Sequence, residues 1–387
     1  MNPREFTDRY NELTGVFLRK FGERMQDGNI VFSSLSILSM LSLLSDATAG
    51  TTRQEVLDLL YGGLPQQGFA EQLKAVRKEL TRKSQDDSGM LDYEDSFYGR
   101  PVRDSSEHFH TANAVCVRES VLESIQPGFR ELLWEKYDSE LYSSAVLKEA
   151  LHAQLPDLVR EMLPLLEEAI SSDSIMAMIN TVAFDAMWQY PYEDIRKGIF
   201  RNADGTESRV RMLYGEADSY VENEYGIGFV KEFQQCGYSF MALLPKEEGP
   251  EALQTLMDTV DFYDLMHHEK YAVVHTMMPE FSVSFRENMN GIMESLGVRK
   301  AFAKCADFSS ISALPVLFVD QMIHQAKIEV DRNGARAAAA TALVMIGSLP
   351  PEEEKYVMID RPFVFAVVHK KLGIPVFAGV MNQAGRE

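Results

Sequence analysis

The sequence predicts an α+β fold built on antiparallel or mixed sheets, because helix-type and strand-type patterns occupy different parts of the chain. Helical patterns dominate the first third, whereas short apolar runs between turn signals such as Asp204-Gly205 dominate from residue 174 onward. Apolar residues make up 45% of the 387 positions, and no linker, repeat or low-complexity tract interrupts them. We therefore expect one domain spanning residues 1–387.

Each element follows from a local pattern. Helical periodicity covers residues 6–24, 34–45, 52–60, 70–83, 127–137 and 151–169. HTANAVCVRE alternates like a strand, and YSFMALLP, YAVVHTMMPEFSVSF, FVFAVV and PVFAGVM predict further strands. The acidic stretch 86–107 predicts an exposed loop. The charge-free stretch 30–45 is too short for a membrane span, which needs about twenty apolar residues, so it predicts a buried helix.

Charge restricts the partners. The formal net charge of −20 repels phosphate backbones and anionic lipid, so we expect neither a nucleic-acid nor a membrane partner. One basic cluster could bind a polyanion, although a solvated helix face is the preferred interpretation. Its members are Lys74, Arg77, Lys78, Arg82 and Lys83.

The sequence lacks the machinery of a conventional enzyme. It contains no nucleophile elbow, dinucleotide fingerprint, P-loop or HExxH motif. His267, His268, Glu269 and His275 form a ligand-like cluster, but adjacent histidines on a helix point in different directions, which favours a polar surface over a metal site. His324 lies in an apolar run and is expected to be a hydrogen-bonded core residue. We expect no enzyme activity, no metal and no cofactor.

Residues 333–351, NGARAAAATALVMIGSLPP, have no settled local preference. The alanine run favours helix, whereas Thr341 and residues 343–346 favour strand. Written as a strand, the face that begins with Ala335 carries no charge, and Arg336 lies on the other face. Such a segment could enter a tight gap between existing strands; an alanine-rich helix or a flexible loop fits the same pattern.

Several separated motifs, in order along nearly the whole chain, resemble the serpins. VDRNGARAAAATA resembles the hinge of the family's reactive loop, and DRPFVFAVV and PVFAGVMN resemble its C-terminal strands. Upstream, NIVFSSLSILSMLSLL, AGTTRQEVLDLL, INTVAFDAMW, MPEFSVSF, MESLGVRKAF and ADFSSIS follow the family pattern. Their shared order is far more specific than one loop.

The resemblance implies a serpin fold: helices packed around a large central mixed sheet, smaller sheets, and an exposed C-terminal reactive loop. It also implies suicide inhibition of a serine protease. The protease attacks the loop and forms an acyl-enzyme, and the freed segment enters the main sheet as a new strand while the protease stays tethered, which is established serpin behaviour. The native state is then metastable.

The family's loop length also implies which bond is cut. Counts forward from Gly334 and backward from Arg361 both give Ser348–Leu349. A small residue before the bond suits an elastase-like or subtilisin-like pocket. The residues that flank the bond and tune specificity are Met345, Ile346, Gly347 and Pro350, with cleavage after Met345 or Ile346 left open. The implied hinge consists of Arg332, Asn333, Gly334, Ala335, Arg336, Ala337, Ala338, Ala339, Ala340 and Thr341.

The resemblance further implies two groups of residues that guard the sheet. A hydrogen-bonded gate beneath the central strands would contain Ser33, Ser36, Asn180 and His324. A region at the top of the sheet, the breach, would contain Trp188 and Glu280. Satisfied core polar residues would look the same, and the two interpretations are compatible because a buried polar network fixes one arrangement.

The hinge departs from the inhibitory pattern. Arg332, Asn333 and Arg336 stand where inhibitory serpins usually have acids, and Glu280 stands where many have lysine. We hypothesise a charge-reversed pair between Arg332 and Glu280. The altered hinge keeps open a non-inhibitory serpin-like binding or structural protein, and papain-like cysteine proteases remain a second target class because they too form acyl-enzymes.

The expected partner is therefore a target serine protease, held in a covalent complex. The inhibitor itself is expected to be a monomer that can form loop–sheet polymers. The absence of a disulfide framework and of a hydrophobic N-terminal segment is compatible with a prokaryotic source. We expect a secreted protein whose signal has been removed, with a cytoplasmic location as the alternative.

Overall fold

The computed structural model describes residues 2–24, 28–64, 68–80, 108–137, 139–144, 174–234, 237–314, 317–335 and 354–385. Three sequence predictions lie outside these ranges: the helix over 151–169, the loop over 86–107, and the cleaved segment within 336–353.

The helices follow the sequence pattern closely. They are α1 Pro3–Arg24, α2 Ser34–Ala47, α3 Gly50–Tyr61, α4 Phe69–Leu80, α5 Glu119–Leu122, α6 Pro127–Tyr137, α7 Pro250–Thr259, α8 Phe262–His267 and α9 Asn290–Ser295. The predicted helices that lie in the described ranges are confirmed, with ends displaced by at most three residues. Among the described residues, no helix combines the length and apolar character that crossing a membrane requires.

The prediction of one helix over 30–45 is wrong at its start. Ile30–Phe32 forms strand β1, and the helix begins after Ser33. The sequence Ile-Val-Phe is typical of a strand. Ser33 has an extended backbone, and its Oγ accepts a hydrogen bond from the Ser36 N–H at 3.4 Å, which is the geometry of an N-cap.

One sheet contains the C-terminal strands. Besides β1, its strands are β6 Asp194–Arg201, β7 Glu207–Glu222, β8 Gly226–Glu232, β9 Tyr238–Pro245, β10 Lys270–Pro279, β14 Glu354–Met358, β15 Phe363–His369 and β16 Ile374–Met381. Their order in the sheet is β1-β16-β15-β9-β8-β7-β10-β14, and β6 pairs with β7.

The strands of the second sheet are β2 Phe109–Val117, β3 Ser139–Ser143, β4 Met176–Phe184, β5 Ala186–Met187, β11 Phe281–Asn288, β12 Gln321–Val330 and β13 Gly334–Ala335. Their order is β3-β2-β4-β12-β13-β5, and β11 pairs with the other side of β12. The central strands β4 and β12 are parallel, whereas β2 and β4 are antiparallel. The sheet is therefore mixed, which confirms the predicted α+β class.

The buried core joins the first helices to both sheets. Phe21 of α1 packs against Phe32 of β1, with ring centroids 4.9 Å apart, and edge-on against Phe285 of β11 at 5.1 Å. All three rings are fully or almost fully buried. This packing brings the N-terminus of α2 beneath the centre of the second sheet.

Candidate functional site

A row of three polar side chains crosses the centre of the second sheet. Asn113, Asn180 and His324 are cross-strand partners on β2, β4 and β12. His324 Nδ1 lies 2.8 Å from Asn180 Oδ1, and Asn180 Nδ2 donates to Asn113 Oδ1 at 2.6 Å. The row therefore ties together the two strands, β4 and β12, between which an inserted strand would have to pass.

The hydrogen bonds determine the tautomer of His324. The backbone N–H of Ser33 donates to Nε2 at 3.1 Å, so Nε2 accepts and Nδ1 carries the proton that is donated to Asn180. Complete burial lowers the pKa of His324 to about 3, because the charged form would lose its hydration. The ring is therefore neutral at neutral pH.

The structure brings together three of the four predicted gate residues directly. Ser33, Asn180 and His324 are bonded in series, whereas Ser36 joins through its backbone N–H to Ser33 Oγ. Asn113 was missed by sequence reasoning. The sequence did contain a sign of its role. HTANAVCVRE was predicted as a strand, and a polar side chain inside a packed strand needs a hydrogen-bond partner.

The hinge enters the same sheet over two residues. Gly334 pairs with Met187, and Ala335 pairs with both Ala186 and Val330. The parallel pairing of β4 and β12 ends at Ala183 and Lys327, so β13 occupies the space just beyond the closed part of the seam. Ala335 is completely buried there.

Residue 334 must be glycine because the backbone of the neighbouring strand β5 leaves no room for a side chain. A Cβ at this position would collide with the carbonyl oxygen of Ala186 and lie 2.7 Å from Met187 Cα. Both obstacles are backbone, which cannot rotate away. Any side chain at residue 334 would therefore displace β13 from the sheet.

A tight turn centred on Asp331 positions the hinge. Asp331 Oδ1 accepts hydrogen bonds from the backbone N–H groups of Asn333 at 2.6 Å and Gly334 at 3.0 Å. The Asp331 N–H donates in return to the Gly334 carbonyl at 2.9 Å. Aspartate commonly organises turns in this way. Asp331 was not among the predicted site residues.

The predicted breach residue Trp188 holds this turn from below. Its ring is almost completely buried and stacks on Phe233, with centroids 4.5 Å apart and planes 7° apart. Its Nε1–H donates to the Asp331 carbonyl at 2.9 Å, and its backbone N–H donates to the Asn333 carbonyl at 2.8 Å. Trp188 is therefore a direct contact of the hinge.

The hypothesised side-chain pair between Arg332 and Glu280 is wrong. The Arg332 guanidinium donates to the carbonyl oxygens of Tyr192 at 2.9 Å and Glu193 at 3.0 Å. Glu280 pairs instead with Arg211 at 2.9 Å. The two residues do meet, because the Arg332 backbone N–H bonds to Glu280; burial nevertheless raises the pKa of that carboxyl.

A buried lysine lies behind the Arg332 contact and was missed by sequence reasoning. Lys231 Nζ lies 4.6 Å from the ring centroid of Tyr192 and donates to the Glu216 carbonyl at 2.7 Å. Burial lowers the pKa of Lys231 to about 8. The lysine thus supports, through a cation–π contact, the residue whose carbonyl receives the Arg332 side chain.

Several predicted residues lie outside the described ranges: Arg336 to Thr341 of the hinge, the flanking residues Met345, Ile346, Gly347 and Pro350, and the bond Ser348–Leu349. The ligand-like histidines are described, and no group of three or more potential ligands able to hold a metal ion occurs in the described part of the chain. The described part of the site is thus a seam between the parallel strands β4 and β12, with the short strand β13 paired just beyond its end.

Comparison with known proteins assigns this architecture. Residues 8–384 match the family described as Serpin (serine protease inhibitor). The chain belongs to the serpin family. The match covers both the seam and the hinge.

Curated relatives from several animals share about a quarter of the sequence. Plasminogen activator inhibitor 1 of Sus scrofa is 23% identical over 93% of this chain and 88% of its own length. Neuroserpin of Mus musculus is 27% identical over 96% and 88%. A serine protease inhibitor of Cyanea capillata is 28% identical over 91% of both chains.

Solved structures show the same fold. The thermophilic serpin tengpin in its native state superposes with a TM-score of 0.78 at 23% identity, covering 99% of this chain and 95% of that one. Thyroxine-binding globulin in complex with thyroxine gives 0.76 at 18% identity, covering 98% and 99%. The fold alone therefore accommodates more than one activity.

Proposed function

We propose that this serpin is a suicide-substrate inhibitor of serine proteases with elastase-like or subtilisin-like specificity, cleaved at Ser348–Leu349. The observation that carries the proposal is the register of β13. Two hinge residues already lie antiparallel between β12 and β5, in the direction that a freed loop would follow. Continued insertion lengthens an existing strand and needs no new nucleus.

The register defines what each inserted residue would meet. Ala335 pairs with Val330 and Ala186, and six residues further along the strands Thr341 would face both His324 and Asn180. Insertion increases the spacing between β4 and β12 from about 4.8 Å to about twice that distance. The hydrogen bond between His324 and Asn180 is therefore broken. The Thr341 hydroxyl both donates and accepts, so it can replace the broken contact on either side.

The small residues of the loop fit this path. Ala337, Ala339 and Thr341 would follow Ala335 on one face of the inserted strand, because alternate residues share a face. That face meets Ile328 and other completely or almost completely buried residues: Ala326, His324, Phe184, Val182 and Asn180. Small side chains enter such a space without overpacking.

The energetic requirement is that insertion outruns deacylation. Each new backbone hydrogen bond contributes about 0.5–1.5 kcal/mol net, and the added strand gains them on both edges. The tethered protease is then distorted, and the loss of one oxyanion-hole donor alone slows acyl-enzyme hydrolysis about 100- to 1,000-fold.

The test is incubation with an elastase-like and a subtilisin-like protease. We expect a complex that survives denaturing electrophoresis, a released C-terminal fragment that begins at Leu349, and a higher melting temperature for the cleaved protein. Ala339→Arg, which would bury a charge in the inserted strand, should turn the protein into a substrate, whereas the matched Ala339→Ser should still inhibit. Clean cleavage by both proteases, with neither a complex nor a rise in melting temperature, would establish a non-inhibitory serpin.

A further inference from the structure

The dipeptide Asn-Gly occurs twice in the chain, at Asn333–Gly334 in the hinge and at Asn290–Gly291 at the start of α9. Asparagine followed by glycine is prone to lose its side-chain amide, because no side chain on the glycine hinders its backbone nitrogen from reaching the amide carbon. The two sites share this chemistry, so any difference in their reactivity comes from the structure around them.

The structure holds the side chain of Asn290 in place. Its Nδ2 donates to the Asp320 carbonyl at 2.8 Å, and its Oδ1 accepts from the Met322 backbone N–H at 2.9 Å. The amide carbon cannot turn toward the Gly291 nitrogen until both hydrogen bonds break, and breaking them costs free energy. Asn290 therefore ties α9 to the start of β12 and is protected from reaction.

The side chain of Asn333 has no such restraint. Its amide forms no hydrogen bond within the part of the chain that the structure describes. Asn333 and Asn290 are both half-buried, so exposure does not distinguish them. The close approach of β5, which requires glycine at residue 334, also removes the side chain that would shield the attacking nitrogen. The hinge thus contains a reactive dipeptide whose amide is unrestrained.

The backbone of the hinge dipeptide, in contrast, is engaged in the docked turn. The Gly334 N–H donates to Asp331 Oδ1 at 3.0 Å, and the Asn333 carbonyl accepts from the Trp188 N–H at 2.8 Å. The Gly334 nitrogen attacks only after losing its hydrogen, so its hydrogen bond to Asp331 must break first. Reaction therefore proceeds from molecules in which the hinge has opened locally, and the stability of the turn sets its rate.

We propose that Asn333 is a site of spontaneous deamidation and that its conversion releases β13 from the sheet. The Gly334 nitrogen loses its proton to the solvent and attacks Asn333 Cγ, which closes a cyclic imide and expels the side-chain nitrogen as ammonia. Water then adds to one of the two imide carbonyls and breaks its bond to nitrogen. Opening on the side-chain carbonyl gives aspartate, and opening on the main-chain carbonyl gives isoaspartate. Both products carry a carboxylate in place of the neutral amide, and water is the only co-reactant.

Either product disfavours the docked turn. Aspartate would add a carboxylate beside Asp331, whose Oδ1 lies 2.6 Å from the Asn333 backbone nitrogen. Burial raises the pKa of Glu280 and the negative charge of Asp331 raises it further, so two acids already lie close together and a third would be repelled. Isoaspartate adds a methylene to the main chain before Gly334, which moves Gly334 out of register with Met187.

Incubation of the full chain in mildly alkaline buffer, followed by peptide mass mapping and isoaspartate detection, tests the chemistry. We expect Asn333 to convert at least about tenfold faster than Asn290, which must first break two side-chain hydrogen bonds. In urea, where neither restraint survives, the two sites should convert at similar rates. Asp331→Ala removes the acceptor of the Gly334 N–H and should speed conversion at Asn333 about five- to thirtyfold, with Asn290 unchanged. Equal native rates at the two asparagines, or no native conversion at Asn333 when the chain in urea converts, would overturn the proposal.

The fluorescence of Trp188 tests the release of β13. The chain has two tryptophans, so in a Trp134→Phe background the signal comes from Trp188, whose indole and backbone both contact the hinge turn. We expect the emission to shift to the red as Asn333 converts, and Asn333→Asp to show the shift from the start.

The matched variant Asn333→Gln keeps an amide but would have to close a larger, less favourable ring, so it should neither convert nor shift. Conversion of Asn333 without a shift, or an Asn333→Asp emission equal to that of the unchanged hinge, would overturn the release of β13. Any effect of deamidation on protease inhibition rests on the proposed function. Neither measurement uses a protease, so failure here is distinguishable from failure of the inhibitor assignment.

Discussion

His324 donates its Nδ1–H to Asn180 Oδ1 at 2.8 Å, across the seam where β12 and β4 run parallel. Both side chains are completely buried. A bond between buried neutral groups is worth little net, but leaving either partner unsatisfied costs about 1–3 kcal/mol. The pair therefore stabilises the paired arrangement of β4 and β12.

Replacing Asn180 should loosen the closed sheet. In Asn180→Leu the His324 Nδ1–H loses its acceptor, so we expect a loss of about 1–3 kcal/mol in the free energy of unfolding, measured in urea, and faster polymerisation on warming. Asn113→Ala removes the hydrogen bond between Asn180 and Asn113 at the other end of the row. Because Asn113 is only half-buried, this variant should lose less free energy of unfolding than Asn180→Leu. Equal losses for the two variants would contradict the ranking.

Acid should weaken the native state through His324. Its pKa is about 3 in the folded chain against an ordinary 6.5, so between these values the unfolded chain binds a proton that the folded chain refuses. The free energy of unfolding should therefore fall as the pH drops through this window, by up to about 1.4 kcal/mol per pH unit from this residue. His324→Gln keeps a donor and an acceptor but does not titrate, so its stability curve should be flatter. Parallel curves for the two proteins would refute the assignment.

The sequence predicted the fold and the central row well because both depend on patterns with few alternatives. His324 lies in an apolar run, which predicts a core position, and a buried histidine must find hydrogen-bond partners. The serpin resemblance then supplied Ser33 and Asn180 as partners. Asn113 was not predicted because its strand was recognised from alternation alone, and alternation does not show which polar side chain has a hydrogen-bond partner on the next strand.

The Arg332 hypothesis failed for a different physical reason. The two residues were paired because each reverses the charge that is usual in the family. A guanidinium is also satisfied by backbone carbonyls, and those of Tyr192 and Glu193 accept hydrogen bonds from Arg332. Glu280 has Arg211 as its neighbour on the adjacent strand β7. Such a choice between partners depends on distances that no spacing in the sequence reveals.

The Asp331 turn should control whether the hinge is docked. Asp331→Ala removes the acceptor of two backbone N–H groups, so we expect β13 to leave the sheet at a cost of about 1–2 kcal/mol. Because Trp188 contacts this turn, its emission should shift to the red. Asp331→Asn keeps an oxygen at the same position and should behave like the native chain. An unchanged Trp188 signal in Asp331→Ala would show that the turn does not hold the hinge.

The departure of the hinge from the inhibitory pattern has a counterpart in the sheet. If an inserted strand continues the register of Ala335, its next residue, Arg336, would lie opposite Glu329 and Asp185. Two neighbouring carboxylates would attract an arginine in the inserted strand. The same carboxylates would repel the acid that is usual at this position in the family. Arg336→Glu should therefore make the cleaved protein about 1 kcal/mol less stable and increase the fraction of inhibitor consumed as substrate, while Arg336→Lys should change both little. Differential scanning calorimetry of the cleaved proteins measures the stability, and the stoichiometry of inhibition measures the fraction consumed as substrate. If cleaved Arg336→Glu is as stable as the cleaved protein of unchanged sequence, the inserted strand takes another register.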